Sequence, residues 1–186
     1  MVATADVQEG NGAGPSWNTV TNFRMCTDDV YNPGSATPIP IPAAGFNYSY
    51  WKSLCLNFTG TFTTINNVRW YTDGSEFAGL GTSGEIRRGN RDSGDHGCPD
   101  GSYDQATGTP GTTGDDLETH SYFAGQTTKT MDTFANDVVG TPADIHTADI
   151  SAPGRSNHVV LQAKIDTDAV LGAKTLETYT FLYDEV

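Results

Sequence analysis

The residues best suited to chemistry gather in RDSGDHGCPDGSYD, residues 91–104, where His96 and Cys98 stand among Asp92, Asp95, Asp100 and Asp104. A structural zinc ion takes four nitrogen or sulfur ligands. His96 and Cys98 supply two, so His120 or Cys26 would have to arrive from distant parts of the chain. Calcium takes oxygens, and Asp92, Asp95, Asp100 and Asp104 with backbone carbonyls are the candidate set. Their spacing fits neither the EF-hand loop nor the RTX nonapeptide, so the first reading is a solvated acidic loop with no cofactor. For nucleophilic catalysis the nearest string to G-x-S-x-G is Gly81-Thr-Ser83-Gly-Glu85, which lacks the final glycine. No phosphate loop or GxGxxG occurs, and none of His96, His120, His146 and His158 has an acid and a nucleophile at suggestive spacing. No enzymatic activity is expected.

Aromatic side chains offer a different chemistry. Tyr48, Tyr50, Trp51, Trp70 and Tyr71 could form a stacking platform for sugars, with Trp51, Trp70 and Tyr71 as its centre. Burial is the commoner fate of aromatics in strands and is the preferred reading.

The elements that must position these residues read as β. From Leu54, the residues Leu54, Leu56, Phe58 and Phe62 fall on one parity and Ser53, Asn57 and Thr61 on the other. The run breaks at Asn66-Asn67 and resumes as Val68-Arg69-Trp70-Tyr71, which predicts two adjacent antiparallel strands. His158 to Asp166 places Val159, Leu161, Ala163 and Ile165 on one face and His158, Gln162 and Lys164 on the other. Thr175 to Val186 alternates again, and Gly172 between them predicts a closing hairpin. Trp17 to Thr27 reads as a first strand, and Thr130 to Val139 as a short helix. Residues 1–15 are polar and Gly-rich and read as a mobile N-terminal arm. Pro38, Pro40 and Pro42 cannot donate ladder hydrogen bonds, so 32–45 is an extended edge or connector.

Residues 74–114 hold 11 of the 21 glycines, which predicts a long Gly/Asp-rich loop insertion at about 74–120. The expected fold is all-β, a two-layer antiparallel β-sandwich of Ig-like or jelly-roll type, formed by residues 16–186 as one domain. Cys55 followed 15 residues later by Trp70 is similar to the B-strand cysteine and C-strand tryptophan of immunoglobulin domains. No cysteine follows Cys98, so an antibody-type intersheet disulfide is excluded. Cys26, Cys55 and Cys98 are expected as thiols, with a Cys26–Cys55 bridge as the alternative.

With 23 acids against 10 bases the net charge is −13. Nucleic acid and anionic membrane surfaces are therefore excluded as partners, since both need converging cations. The first residues have neither the basic nor the apolar region of a signal peptide, which predicts a protein made in the cytoplasm.

The segments YWKSLCLNFTG and HVVLQAKIDTDAVLGAKTLETYTFLYDEV, in a soluble acidic β-rich chain, resemble the accessory structural proteins of tailed-virus particles, the capsid decoration or cement proteins. The resemblance implies a sandwich on the outer face of a virion shell, a trimer or other symmetric oligomer, that fastens neighbouring capsomers of the major capsid protein or another virion protein. On that reading the contact residues are Trp17 and the run Pro38, Ile39, Pro40 and Ile41. The alternative is a carbohydrate-binding sandwich or virion adhesin using the aromatic platform.

Overall fold

The structure, a computed structural model, describes residues 2–75, 78–89, 97–119, 130–174 and 176–186, with the backbone alone for 130–132. In chain order the strands are β1 (Ala3–Asn11), β2 (Ser16–Thr19), β3 (Asn47–Tyr48), β4 (Lys52–Gly60), β5 (Ile65–Thr72), β6 (Glu85–Gly89) and β7 (Gly108–Thr109). They continue as β8 (Thr113–Gly114), β9 (Thr130–Asp132), β10 (Ala143–His146), β11 (Gly154–Arg155), β12 (Val159–Ile165) and β13 (Tyr179–Glu185). A large antiparallel sheet runs β2-β1-β4-β12-β6-β9, with β11 added to β4 and β3 to β12, and a smaller one runs β10-β5-β13. The chain is all-β, and the two sheets pack as a sandwich.

Leu54, Leu56 and Phe58 of β4 and Val159 and Leu161 of β12 meet Ile65, Val68 and Trp70 of β5 and Ala143 and Ile145 of β10 in one buried cluster. This packing explains two departures from expectation. The strands β4 and β5 are not adjacent in one sheet but belong to opposite layers, and so do β12 and β13. Alternation marks which side of a strand is apolar. When two successive strands must turn those sides toward each other, the chain has to arch between sheets instead of closing a hairpin. At the first arch the chain leaves β4 through Gly60, at φ +86°. Asn66 and Asn67, expected in the turn, lie within β5, where Asn67 takes φ +51° at a bulge in β5 that sets Asn67 and Val68 opposite Tyr183.

The expected mobile arm is also corrected. Residues 3–11 form β1, whose Ala3 to Gly10 pair with Gly60 to Ser53 of β4. Ala3, Ala5 and Val7 fall on the inward parity and pack against the core. The expected strand Trp17–Thr27 is confined to Ser16–Thr19, and the helix expected over 130–139 is a single turn, Thr133–Asn136.

The stretch expected as a loop insertion is not one solvated loop over its described residues. It contains β6, the β7–β8 pair and a 3₁₀ turn at Asp100–Ser102. Cys98, Ala106 and Leu117 are buried with Tyr50, Trp51 and Val160, so residues 97–119 cover the outer face of the large sheet.

Candidate functional site

Two places bear on function: the covered outer face of the large sheet, and an apolar end where three loops meet.

On the outer face, β12 turns Gln162 toward residues 97–119. Its amide nitrogen donates to the Ser49 and Asp115 carbonyls, both at 2.8 Å, and its oxygen accepts from the Leu117 N–H at 2.9 Å. Gln162 and His158, expected on a polar face, are both fully buried. His158 exchanges backbone hydrogen bonds with Cys98, and its Nε2 lies 3.2 Å from the Pro99 carbonyl, which calls for the Nε2–H tautomer. Arg87, braced by Glu85 of its own strand (2.6 Å), clamps the same segment through Asp116 (2.8 Å) and Glu118 (3.2 Å). Beside it, burial and the Asp116 carboxylate push the Tyr48 phenol up to about 12.

Trp17, half-buried, packs into this covering. The Arg155 guanidinium sits 5.0 Å from its ring, and Tyr103 and His158 meet its edge at 5.7 and 5.9 Å. Opposite it stands Gly10, where a Cβ would lie 2.9 Å from the indole, so only glycine admits the ring. Cys55 is sealed in the same region, and burial holds its thiol far above the ordinary range, with Arg155 opposing and Asp100 adding to the shift. A thiol so protonated and covered is poorly placed to attack a substrate. No disulfide links Cys26 to Cys55, both of which are buried.

The metal candidates divide. Asp92, Asp95 and His96 lie outside the described residues, while Asp100 and Asp104 are half-buried. Among the described residues no group of three or more His, Cys, Asp or Glu could hold a metal ion. The glycan platform is corrected outright: Trp70 is fully buried between the sheets, Trp51 lies beneath residues 97–119, and only Tyr71 is half-exposed. These three side chains share no accessible face.

The apolar end is built on a third cluster, Leu80, Ile86, Phe134, Ala163 and Ile165, against which Ile39, Ala169 and Tyr179 also pack. It therefore joins the Pro-rich segment, the arch between β12 and β13, and the start of β13. Pro38 and Pro40 are exposed, Ile39 and Ile41 half-buried. The segment is held by the Thr27 hydroxyl donating to the Pro38 carbonyl at 3.3 Å and the Asn47 amide donating to that of Pro40 at 2.8 Å. On the arch, Val170, Leu171 and Leu176 are 65%, 85% and 91% exposed.

Exposed aliphatics on a slack loop would collapse onto the core, but the base of this arch is fixed. The Thr82 N–H (2.9 Å) and hydroxyl (2.6 Å) donate to Asp168, and the Ser83 N–H donates to Asp166 at 3.0 Å. These bonds hold both carboxylates below the usual range: for Asp166 the Thr167 N–H leads, for Asp168 the Thr82 hydroxyl. Lys174 Nζ donates to the Gly79 carbonyl at 2.8 Å and closes a depression of about 280 Å³ lined by Ala78, Gly79, Val170, Leu171 and Ala173. Of the contact residues expected from sequence, the structure brings the Pro-rich run to this end and leaves Trp17 elsewhere. Val170, Leu171 and Leu176 were missed because Gly172 between two alternating runs reads as a hairpin turn. A turn tip carrying three large aliphatics was the available signal.

Comparison of the chain with protein-family models, with curated proteins and with solved structures finds no match.

Proposed function

We propose that this chain is a non-enzymatic structural protein of a tailed-virus particle, a decoration or cement protein that binds across capsomer junctions and stabilises the shell. The observation that supports it is the apolar end, where the arch leaves Val170, Leu171 and Leu176 exposed and its Ala169 packs on the same cluster as Ile39, which lies between the exposed prolines 38 and 40. Isolated exposed aliphatics are ordinary, but several held together on a fixed base mark a surface meant to be covered. Binding to a surface present only in the assembled shell would stabilise that shell by linkage, because the apolar area is buried in the assembled state alone. The charge of −13 suits a solvent-facing position away from the packaged genome.

The test is co-sedimentation of the purified protein with shells assembled from the major capsid protein encoded in the same genome, followed by thermal disruption of those shells. Saturable occupancy and a raised disruption temperature are expected. Absence of co-sedimentation at micromolar concentration would overturn the reading.

A further inference from the structure

Edge strands expose a row of unpaired backbone groups, and proteins usually shorten, twist or cover them. Among the described residues, three of the four outer strands of the two larger sheets follow that rule: β2 and β10 have four residues each and β9 has three. The fourth does not. β13 has seven residues, pairs with β5 alone, and has no strand on its other side among the described residues.

The ladder fixes which groups are free. The Asp73 N–H donates to the Thr178 carbonyl, and Thr180 and Leu182 follow on the same parity opposite Tyr71 and Arg69. In an antiparallel pair alternate residues bond to the neighbour, so the backbone N–H and C=O of Tyr179 and Phe181 point to the open side. Their side chains point inward and are held, Tyr179 against Trp70 at 5.3 Å and Phe181 against the core. The segment carrying Phe23 lies beside this edge, its ring stacked on Tyr179 at 5.5 Å, and forms no strand pairing with it.

Charge selects the occupant. Asp73 and Glu177 stand at one end of β13 and Asp184 and Glu185 at the other, where Arg69 lies 3.9 Å from Asp184, the Asn67 amide donates to Asp184 at 2.8 Å and the Ala3 N–H donates to Glu185 at 3.0 Å, so that one cation faces four acids. Glu177 is pushed up by burial and by Asp73, the sign of an acidic end lacking a counter-charge. A second copy paired antiparallel about Phe181 would set Glu177 against Glu185, and each copy carries −13. We infer that β13 is a docking edge for an extended basic segment of a partner protein, which adds a strand beside Tyr179 and Phe181 and places a Lys or Arg at each end. Strand addition draws affinity from main-chain bonds and specificity from flanking side chains. At about 3.3 Å per residue the basic residues would stand some seven positions apart. The assignment stands apart from the virion reading, since any partner with such a segment would serve.

The experiment uses the full chain and a capped nine-residue peptide, alternating valine and threonine with two lysines at each end, at millimolar concentration. Amide hydrogen exchange is read by NMR. The Tyr179 and Phe181 amides should slow at least about tenfold, as amides do on entering a ladder. A peptide N-methylated on the pairing side, or one with glutamates replacing the lysines, should give less than a third of that effect. Glu177→Lys, on a side chain that supports no core packing, should weaken the lysine peptide and strengthen the glutamate one. No slowing with the lysine peptide, equal slowing with the N-methylated one, or a chain already dimeric through β13 in light scattering would each overturn the inference.

Discussion

The two faces of the large sheet are both buried, but by different means. The inner face meets Trp70, Val68 and Ile145 of the opposite sheet through side chains that alternate with the strand period. The outer face is covered by residues 97–119, which have little regular structure and are held by Gln162 and Arg87. Apolar packing is non-directional and tolerant, whereas a polar anchor acts only through particular atoms. Losses on the inner face should therefore be global, and losses on the outer face local.

The largest expected effect is Trp70→Ala, which removes a fully buried ring at the centre of the inner face. It should cost roughly 3–5 kcal/mol and lower the denaturation midpoint as a single transition. Next comes Lys52→Ala. The inner row ends in a buried pair, Lys52 to Glu9 at 2.8 Å, with Asn11 also bonded to Glu9. Stranding Glu9 should cost about 3 kcal/mol, and the double change Lys52→Met with Glu9→Leu should restore most of it in the same denaturation assay. Gln162→Leu should cost about 1–3 kcal/mol by leaving the Leu117 N–H and two carbonyls unmet. Its mark is locality: faster exchange at the Leu117 amide with β4 and β12 amides unchanged. Loss of protection throughout β12 would erase the distinction between the faces.

The smallest effect is at the arch. Asp166 and Asp168 have folded values below their unfolded ones, so their contribution is present above the ordinary carboxylate range and lost as pH falls through the depressed values. Exchange at the Thr82 and Ser83 amides, corrected for intrinsic rate, should rise on acidification below about pH 4. Asp168→Asn should raise it at neutral pH.

The same contrast explains what could be read from sequence. The strands β4, β5, β12 and β13 announce themselves because large side chains alternate in each, and burial of Trp70 follows from that pattern. Their pairing does not, because alternation names a face and not a neighbour. β1 escaped notice because its inward residues begin with Ala3 and Ala5, too small to mark a strand. The covering of 97–119 was hidden because its apolar residues, Cys98, Ala106 and Leu117, are too widely spaced to form a period. At the apolar end the prolines were legible as an outer segment, since they cannot donate to a ladder. That Ile39 and Ala169 pack on one cluster depends on the arch and is invisible in the chain order.

The central claim is that this braced apolar end, not the aromatic strands, makes the contact. Covalent footprinting of the protein, free and mixed with shells of the proposed capsid partner, tests it most directly. Labelling should fall at least about fivefold at Val170, Leu171, Leu176 and prolines 38 and 40, and stay constant at Val139, an exposed aliphatic outside the cluster that joins those loops. Unchanged labelling at the arch, with protection elsewhere on the bound protein, would contradict the account.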